Sequence, residues 1–389
     1  MKLLLICKGA PSGVGGGDIG ANKAYVCIKE ICQENGIDFK CVSPDNNPEE
    51  NLGCELKKNR SIDLLARVFG HTTSLYVMWL KYREKIFAYS PDIVISISSR
   101  LGFVTKSIAR RNKATNCIVA FENVECDYAI VPFLQLHSLL RTIFTRIERM
   151  FVVRDEKAAL KYGASFIFLS DRDYKRTREI YGREICNHQI IPACIQSEIR
   201  LTINSPKPTI VFVSSLQFKQ NVASLLWFLD NVWNVYFKES DSVNFIVAGA
   251  EPPPIVVERL KDERNVKLYK NFKHMADIIP RGALHISPIT VGAGMKVKIA
   301  EALAAGLHIL GTDEALVGYS ECFGARGIRH ANTPGEYKIA IEKYIALGHE
   351  EIEQISRENQ ELFHRFYTYA RAKEGYEKVL KSVVVEEAN

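Results

Sequence analysis

The sequence predicts an α/β protein of two Rossmann-like domains, and three observations carry that reading. Short apolar runs bounded by turns alternate with segments of helical period in both halves of the chain. That is the pattern of buried parallel strands and their crossover helices. The pattern restarts after Ser205-Pro206-Lys207-Pro208, where each proline fixes φ and disfavours helix just before it. The length, 389 residues, implies two or three domains at roughly 150 residues each.

The first half opens with an apolar run, Lys2–Cys7, followed by a glycine-rich loop, Gly13–Gly20, and a helical pattern from Asn22 to Asn35. Further strands are predicted at Phe39–Ser43, Asp92–Ser98 and Cys117–Phe121, with a basic helix between the last two. The second half starts with a strand at Thr209–Val213 and a helix at Val222–Phe237. Strands at Asn244–Ala248, Val266–Tyr269, Leu284–Ser287 and His308–Gly311 follow, with a helix from Met295 to Ala305 before the last. The final helical segment, Glu350–Leu380, has no strand partner and is read as packing across both domains. The expected limits are 1–200, 201–365 and a C-terminal helical piece, 366–389, that crosses back to the first domain.

Hydrophobic residues make up 47% of the chain and charged residues 25%, ordinary values that exclude a disordered chain, a collagen or a coiled coil. The longest apolar runs are too short to span a bilayer. Met1–Cys7 is interrupted by Lys8 and lacks a small-residue cleavage site, so the reading is a cytoplasmic protein starting at Met1. Ten cysteines without a CxxC pair suit reduced, buried thiols rather than disulfides or zinc. The net charge is +6, and residues 1–200 carry the whole excess, with 29 Lys and Arg against 22 Asp and Glu. An anionic membrane surface or a phosphate-bearing substrate suits that half. Nucleic acid does not, because no basic segment is interleaved with aromatics.

The most informative segment is Pro288–Tyr319, PITVGAGMKVKIAEALAAGLHILGTDEALVGY. A strand end leads into a loop with Gly292 and Gly294, then a helix. Glycines admit a ligand close to the backbone, and a helix start offers free N–H groups and the positive dipole end. Lys296 and Lys298 fall in or near the first turn, where cations oppose the dipole. A bound phosphate or pyrophosphate would offset them; lysines in water, or a Lys298–Glu301 pair at i,i+3, would serve equally. Glu301 stands one turn on among small residues. A carboxylate there can accept hydrogen bonds from both ribose hydroxyls of a nucleotide, or it is a solvated helix residue.

These residues resemble the donor-site signature of family-four-type (group 1) retaining glycosyltransferases, which have the GT-B fold of two Rossmann-like domains facing across a cleft. Glu301 matches the second acid of that signature and Gly306 its closing glycine, whereas Ala293 stands where the first acid is usual. The chain is closer to a subgroup form, GxGMKxKxxEAL followed by GT and GY. Gly292, Gly294, Met295, Lys296, Lys298, Glu301, Ala302, Leu303, Gly311, Thr312, Gly318 and Tyr319 fit it. Phe212–Leu229 resembles the first strand-loop-helix of the nucleotide domain, with Lys219 as the usual basic residue and Asn221 as a common asparagine. Asn271-Phe272 occupies the place where such enzymes hold the base by main-chain contacts.

In the first half, Gly15-x-Gly17-x-x-Gly20 is formally a dinucleotide fingerprint, but it stands too far behind its strand for NAD. A long glycine-rich loop there resembles the GT-B loop beside the donor phosphates, with Gly16 and Gly17 as backbone donors. Phe121–Tyr128, FENVECDY, resembles the subgroup loop HNxE, with Glu122 in place of a histidine near the transferred sugar. Glu122 would accept a sugar hydroxyl or act as base, and Asn123 and Glu125 would meet the acceptor; loop residues would look the same. Ser170–Asp173 is primarily an N-cap. His137–Arg154 places Leu139, Leu140, Ile143, Phe144, Ile147, Met150 and Phe151 on one side, with Arg141, Arg146, Arg149 and Arg154. Such a helix either lies on an anionic membrane at the inner face of the plasma membrane or covers a core with a solvated basic face.

The resemblance implies a glycosyltransferase moving a sugar from a nucleotide-diphosphate donor to a glycan, lipid-linked or protein-linked acceptor. It implies retention of configuration without metal or other cofactor, in surface polysaccharide or glycoconjugate synthesis. Glu122, Lys219 and Lys298 are the expected catalytic residues. The donor would be held by Gly16, Gly17, Lys219, Asn271, Phe272, Gly292, Ala293, Gly294, Met295, Lys296, Lys298 and Glu301. A nucleotide-sugar-binding partner subunit and an NAD-dependent oxidoreductase are the alternatives.

Overall fold

In the computed structural model the chain divides into two compact units, Met1–Cys194 with Tyr369–Asn389, and Ile195–Thr368. The structure describes all residues except 12–15, 44–49, 53, 55–59, 74, 131–136, 262, 293 and 386–389.

The first unit is built on strands β1 (Lys2–Cys7), β2 (Asp38–Val42), β3 (Ile93–Ile97), β4 (Asn116–Phe121), β5 (Ser165–Phe168) and β6 (His188–Ile190). They form one parallel sheet in the order β2-β1-β3-β4-β5-β6. The strands of such a sheet are covered on both faces and therefore read as continuous apolar runs; every residue of β3 is buried. The helices are α1 (Gly16–Glu34), α2 (Arg60–Val68), α3 (Leu75–Tyr89), α4 (Gly102–Arg111), α5 (Glu125–Tyr128), α6 (Ser138–Tyr162) and α7 (Asp171–Tyr181). On one face Leu4, Ile6 and Val94 pack against Trp79, Tyr82 and Ile86 of α3 and Val104 and Ile108 of α4.

The second unit repeats the plan with β7 (Thr209–Val213), β8 (Asn244–Gly249), β9 (Val266–Lys270), β10 (Leu284–Ser287), β11 (His308–Gly311) and β12 (Ile328–His330). The order is β12-β11-β10-β7-β8-β9, again parallel. Its helices are α8 (Lys219–Phe228), α9 (Pro254–Leu260), α10 (Val297–Ala304), α11 (Pro334–Ile345) and α12 (His349–Phe366). A nine-residue π-helix, Leu229–Phe237, continues α8. Phe228, Trp233, Phe245 and Tyr337 fill the core between α8, α11 and the sheet. A last helix, α13 (Tyr369–Val385), belongs to the first unit, where Ala372, Tyr376, Val379 and Val383 pack with Ala24, Ile28 and Ile31 of α1.

Several boundaries differ from the sequence reading. Helix α1 begins at Gly16 rather than Asn22, so Gly16, Gly17 and Gly20 are helical. Asp18 explains the early start: its carboxylate sits in the first turn, favoured by the dipole, and accepts the Ala10 N–H at 2.8 Å. The predicted helix over Glu350–Leu380 is two helices, α12 and α13, broken at Tyr367-Thr368. Strands β5, β6 and β12 were given no bounds in the sequence reading.

Both sheets reverse direction of growth beside their first strand. In the first unit that switch lies between β1 and β3, where Cys7 pairs with Ile97. In the second it lies between β7 and β10, where Ile210 pairs with Leu284. Ligands of open α/β sheets bind outside the carboxyl ends of the strands at such switch points.

Candidate active site

Lys298 occupies the switch point of the second unit. Its Nζ donates to Ser214 Oγ, just beyond β7, at 2.7 Å and to Asn221 Oδ1 in the first turn of α8 at 3.1 Å. Asn221 is itself fixed, donating from Nδ2 to the Ser215 carbonyl at 2.8 Å. Burial brings the Lys298 ammonium down to about 7, with Glu301 opposing the shift and Lys296 adding to it. Two neutral acceptors take two of its three N–H donors without neutralising its charge. Such an ammonium is prepared for an anion. The alternative of an i,i+3 pair with Glu301 is not what the structure shows; Lys298 reaches the end of β7.

Glu301 lies on the same helix with no hydrogen-bond or ion-pair partner among the described residues. Burial raises its carboxyl, and Lys298 partly counters this. Lys219 is the exposed first residue of α8, not a loop residue. The amino ends of α8 and α10 thus meet at the ends of β7 and β10 through the Asn221–Lys298 bond.

Lys296 has a different part. It stands at the N-cap of α10, and its Nζ is held by Glu314 Oε1 at 2.9 Å and by the Gly294 and Glu314 carbonyls. These contacts close the loop. The GT…GY residues work on the same loop. Thr312 Oγ1 donates to the Ile289 carbonyl, and Tyr319 Oη donates to the Lys296 carbonyl at 2.9 Å and accepts from the Ala300 N–H at 3.2 Å. Gly294 takes φ +61°, a conformation side chains resist, and the Met295 side chain fills the space beside Gly318. Gly292 leaves its open side to the Lys296 stem. Ala293 lies outside the described residues. Asn271 follows β9 with φ +52°, its Oδ1 accepting from the Glu251 N–H at 2.8 Å; Phe272 beside it is half-buried.

In the first unit, Glu122 follows β4 and points at α1. A Cβ on Gly20 would overlap its Oε1. Burial pushes the Glu122 carboxyl up to about 7 against the pull of Lys8 and Lys23. Asn123 is half-buried next to it. Glu125 is closed off: it is 4% exposed, and Arg100 Nε donates to its Oε2 at 2.6 Å. Burial alone would raise its carboxyl, but Lys8 and Arg100 bring it down to about 2. Arg100 also bonds Glu148 at 3.0 Å and Thr72 at 2.8 Å. Glu156 receives Ser99 Oγ, the Glu125 N–H and Tyr181 Oη. This buried network anchors the loop after β4. Ser98, at the end of β3, takes φ +127°, a strained conformation costing about 1–3 kcal/mol. Gly16 and Gly17 supply first-turn N–H groups of α1, which lack intrahelical acceptors.

Ser214, Glu314, Arg100 and Glu156 escaped the sequence reading. Ser214 offered one signal, a hydroxyl directly behind a predicted strand. The others act across 18 to 57 positions, which no local pattern reveals. His285 and Ser287, on one face of β10, are buried without side-chain hydrogen-bond partners among the described residues. Burial brings His285 down to about 3, with Lys298 adding to the shift, so it is neutral beside the lysine.

Among the described residues no helix is long and apolar enough to cross a membrane. No curated protein matches the chain. Residues 207–346 match the family model described as glycosyl transferases group 1. Among solved structures, sucrose-phosphate synthase from Thermosynechococcus elongatus is similar at a TM-score of 0.70 and 11% identity, covering 99% of both chains. A glycosyltransferase from Rickettsia africae is similar at 0.65 and 13% identity, covering 98% of both. Anabaena HepE in complex with UDP and glucose is similar at 0.63 and 13%, covering 98% of this chain and 100% of the other. The fold is therefore GT-B, and residues 207–346 are similar to the family described as glycosyl transferases group 1.

Proposed function

We propose that the enzyme moves a sugar from a nucleotide-diphosphate donor to a glycan, lipid-linked or protein-linked acceptor, with retention and without a metal, in surface polysaccharide or glycoconjugate synthesis. One observation carries the donor side: the charged form of Lys298 is held by Ser214 and Asn221 at the β7/β10 switch point, with the unpartnered Glu301 one turn away. The spacing suits a diphosphate at the lysine and a ribose at the carboxylate. Anabaena HepE, of similar fold, has been solved with UDP-glucose, which supports a uridine donor.

The leaving diphosphate gains negative charge as the sugar bond breaks. Lys298, Lys219 and the first-turn N–H groups of α10 supply the opposing charge, placed before the reaction begins. Gly292, Gly294 and Met295 shape the loop, Lys296 staples it, and Asn271 and Phe272 flank the base. Ala293, in place of an acid, leaves the loop's charge to the lysines. In a front-side retaining reaction the donor phosphate itself takes the acceptor's proton. Glu122 then needs only to hold a sugar hydroxyl, with Gly16 and Gly17 toward the donor phosphates and Asn123 toward the acceptor. Glu125 enters as the anchor of that loop. Ten thiols without a disulfide suit the reducing cytoplasm.

A thermal-shift panel of nucleoside diphosphates and their sugars tests the reading. A ligand at 100 times its Kd adds about 2.7 kcal/mol to stability. One nucleotide family should shift the melting temperature by several degrees, and the single purified chain should turn that sugar over. No shift with any nucleotide would overturn the proposal.

A further inference from the structure

The sequence left the His137–Arg154 helix between a core helix and a membrane helix, and the structure decides how its apolar side is covered. The C-terminal part of α6 is core: Val152, Ala159 and Leu160 are buried. Its N-terminal part is not. Leu139 is 71% exposed and Met150 61%, with Leu140, Ile143, Phe144 and Ile147 each above 40%. A soluble helix ordinarily turns such a stripe inward. A second element extends the patch. Arg67, in α2, pairs with Glu148 at 3.5 Å, and Arg154 donates to the Gly70 carbonyl at 2.5 Å, so the end of α2 lies along α6. Val68 there is 77% exposed, Phe69 52% and Leu65 46%. Nine large apolar side chains thus stand open on two adjoining elements. Contiguous exposed apolar surface of this kind marks an interaction site.

The charges beside the patch select the partner. Arg146, Arg149 and Arg154 are exposed on the same stretch of α6, and Arg141 is partly so. The acids of that stretch face inward: Glu148 is 3% exposed and Asp155 1%, both tied to buried partners. The surface therefore presents arginine and apolar side chains with no exposed α6 carboxylate over residues 138–155. A second copy of the chain would set these arginines against each other. We infer that the face formed by α2 and the N-terminal part of α6 docks on an anionic lipid bilayer, with its apolar side chains in the headgroup boundary and its arginines at the lipid phosphates.

The test is flotation of the full chain with vesicles of phosphatidylcholine alone or with phosphatidylglycerol added. Binding should appear with the anionic vesicles and decline as salt is raised. Each basic residue at such a surface is worth about a fivefold change in partitioning. Arg146→Glu and Arg149→Glu should therefore each weaken binding about fivefold or more. Phe144→Gln with Ile147→Gln should abolish it. Ile255→Gln, at an exposed apolar residue of the second unit, should change nothing. All these positions are exposed, so the melting temperature and nucleotide shift should hold in every variant, which separates this surface from the donor site. Absent binding, or binding untouched by the α6 variants, would overturn the inference. So would a dimer, seen by sedimentation, that those same variants dissolve without any vesicle binding.

Discussion

Lys298 Nζ donates to Ser214 Oγ at 2.7 Å, tying a cation on α10 to the carboxyl end of β7. The bond orients the ammonium before any ligand arrives. Preorganised charge of this kind counts most where negative charge develops, and removing one such donor typically costs about 100- to 1,000-fold in rate. Lys298→Ala and Lys219→Ala should depress turnover beyond whatever they cost in donor affinity. Asn221→Ala removes one of the two acceptors that aim Lys298 and should cost about tenfold or more. Steady-state kinetics beside direct donor titration separates the two quantities. EDTA should leave the wild type nearly unchanged; activity abolished by EDTA and restored by a divalent ion would transfer the diphosphate charge to a metal.

The same lysine predicts a pH dependence. In the free protein its ammonium is brought down to about 7, burial being the main cause. A bound diphosphate favours the charged form and raises that value in the complex. Affinity that depends on the proton is fully present below the free value and is lost as pH rises from about 7 toward the bound one. An intact nucleotide sugar carries no titrating phosphate proton in this range. Its Kd should therefore be flat below pH 7 and weaken by up to about tenfold per unit above it. In Lys298→Ala the slope should vanish, as titration calorimetry between pH 6 and about 9 would show.

The site of the second unit was more legible than that of the first, and the reason is sequence distance. Glu301 and Lys298 share one helix with the glycine loop, so a local pattern contains them. Gly311, Thr312, Gly318 and Tyr319 were legible as a motif, but their work as braces of the loop needed coordinates. The contact of Lys296 with Glu314 was hidden for the same reason: the two stand 18 positions apart. In the first unit Arg100 and Glu125 come from different strand ends. A loop carboxylate open to acceptor and a buried ion-paired one look alike in sequence. The apolar stripe of α6 was visible as a period, but a period cannot say whether the stripe is covered.

Glu301 offers a test confined to the ribose. Its carboxylate has no partner among the described residues, so replacing it strands nothing. If it accepts the two hydroxyls, Glu301→Ala should lose about 1.5–3 kcal/mol of nucleotide-diphosphate affinity with the fold intact. The 2′-deoxy nucleotide sharpens the result. It should bind the wild type more weakly than the ribonucleotide, and bind Glu301→Ala equally well. Calorimetric titration of both ligands into both proteins gives the four values. Undiminished discrimination in the variant would return Glu301 to an ordinary helix residue.

Glu122 and Gly20 pose the last question, whether the carboxyl after β4 meets the transferred sugar. Burial pushes that carboxyl up to about 7, so it ionises within the working range. If the ionised form accepts a sugar hydroxyl, turnover should rise with pH through about 7 and level off, an acid limb opposite to the lysine's fall. Glu122→Gln keeps the shape and removes the titration. It should lower turnover by about 10- to 150-fold, the value of a hydrogen bond to a charged group, and flatten the acid limb while leaving nucleotide affinity unchanged. Gly20→Ala reaches the same carboxyl without altering its chemistry. The new Cβ would overlap Glu122 Oε1, and the end of a side chain can swing aside where a backbone cannot. The variant should fold, keep its nucleotide shift, and lose turnover to a similar degree. A Glu122→Gln enzyme with wild-type rate and an intact acid limb would leave Glu122 as a half-buried loop residue and assign the limb to another group.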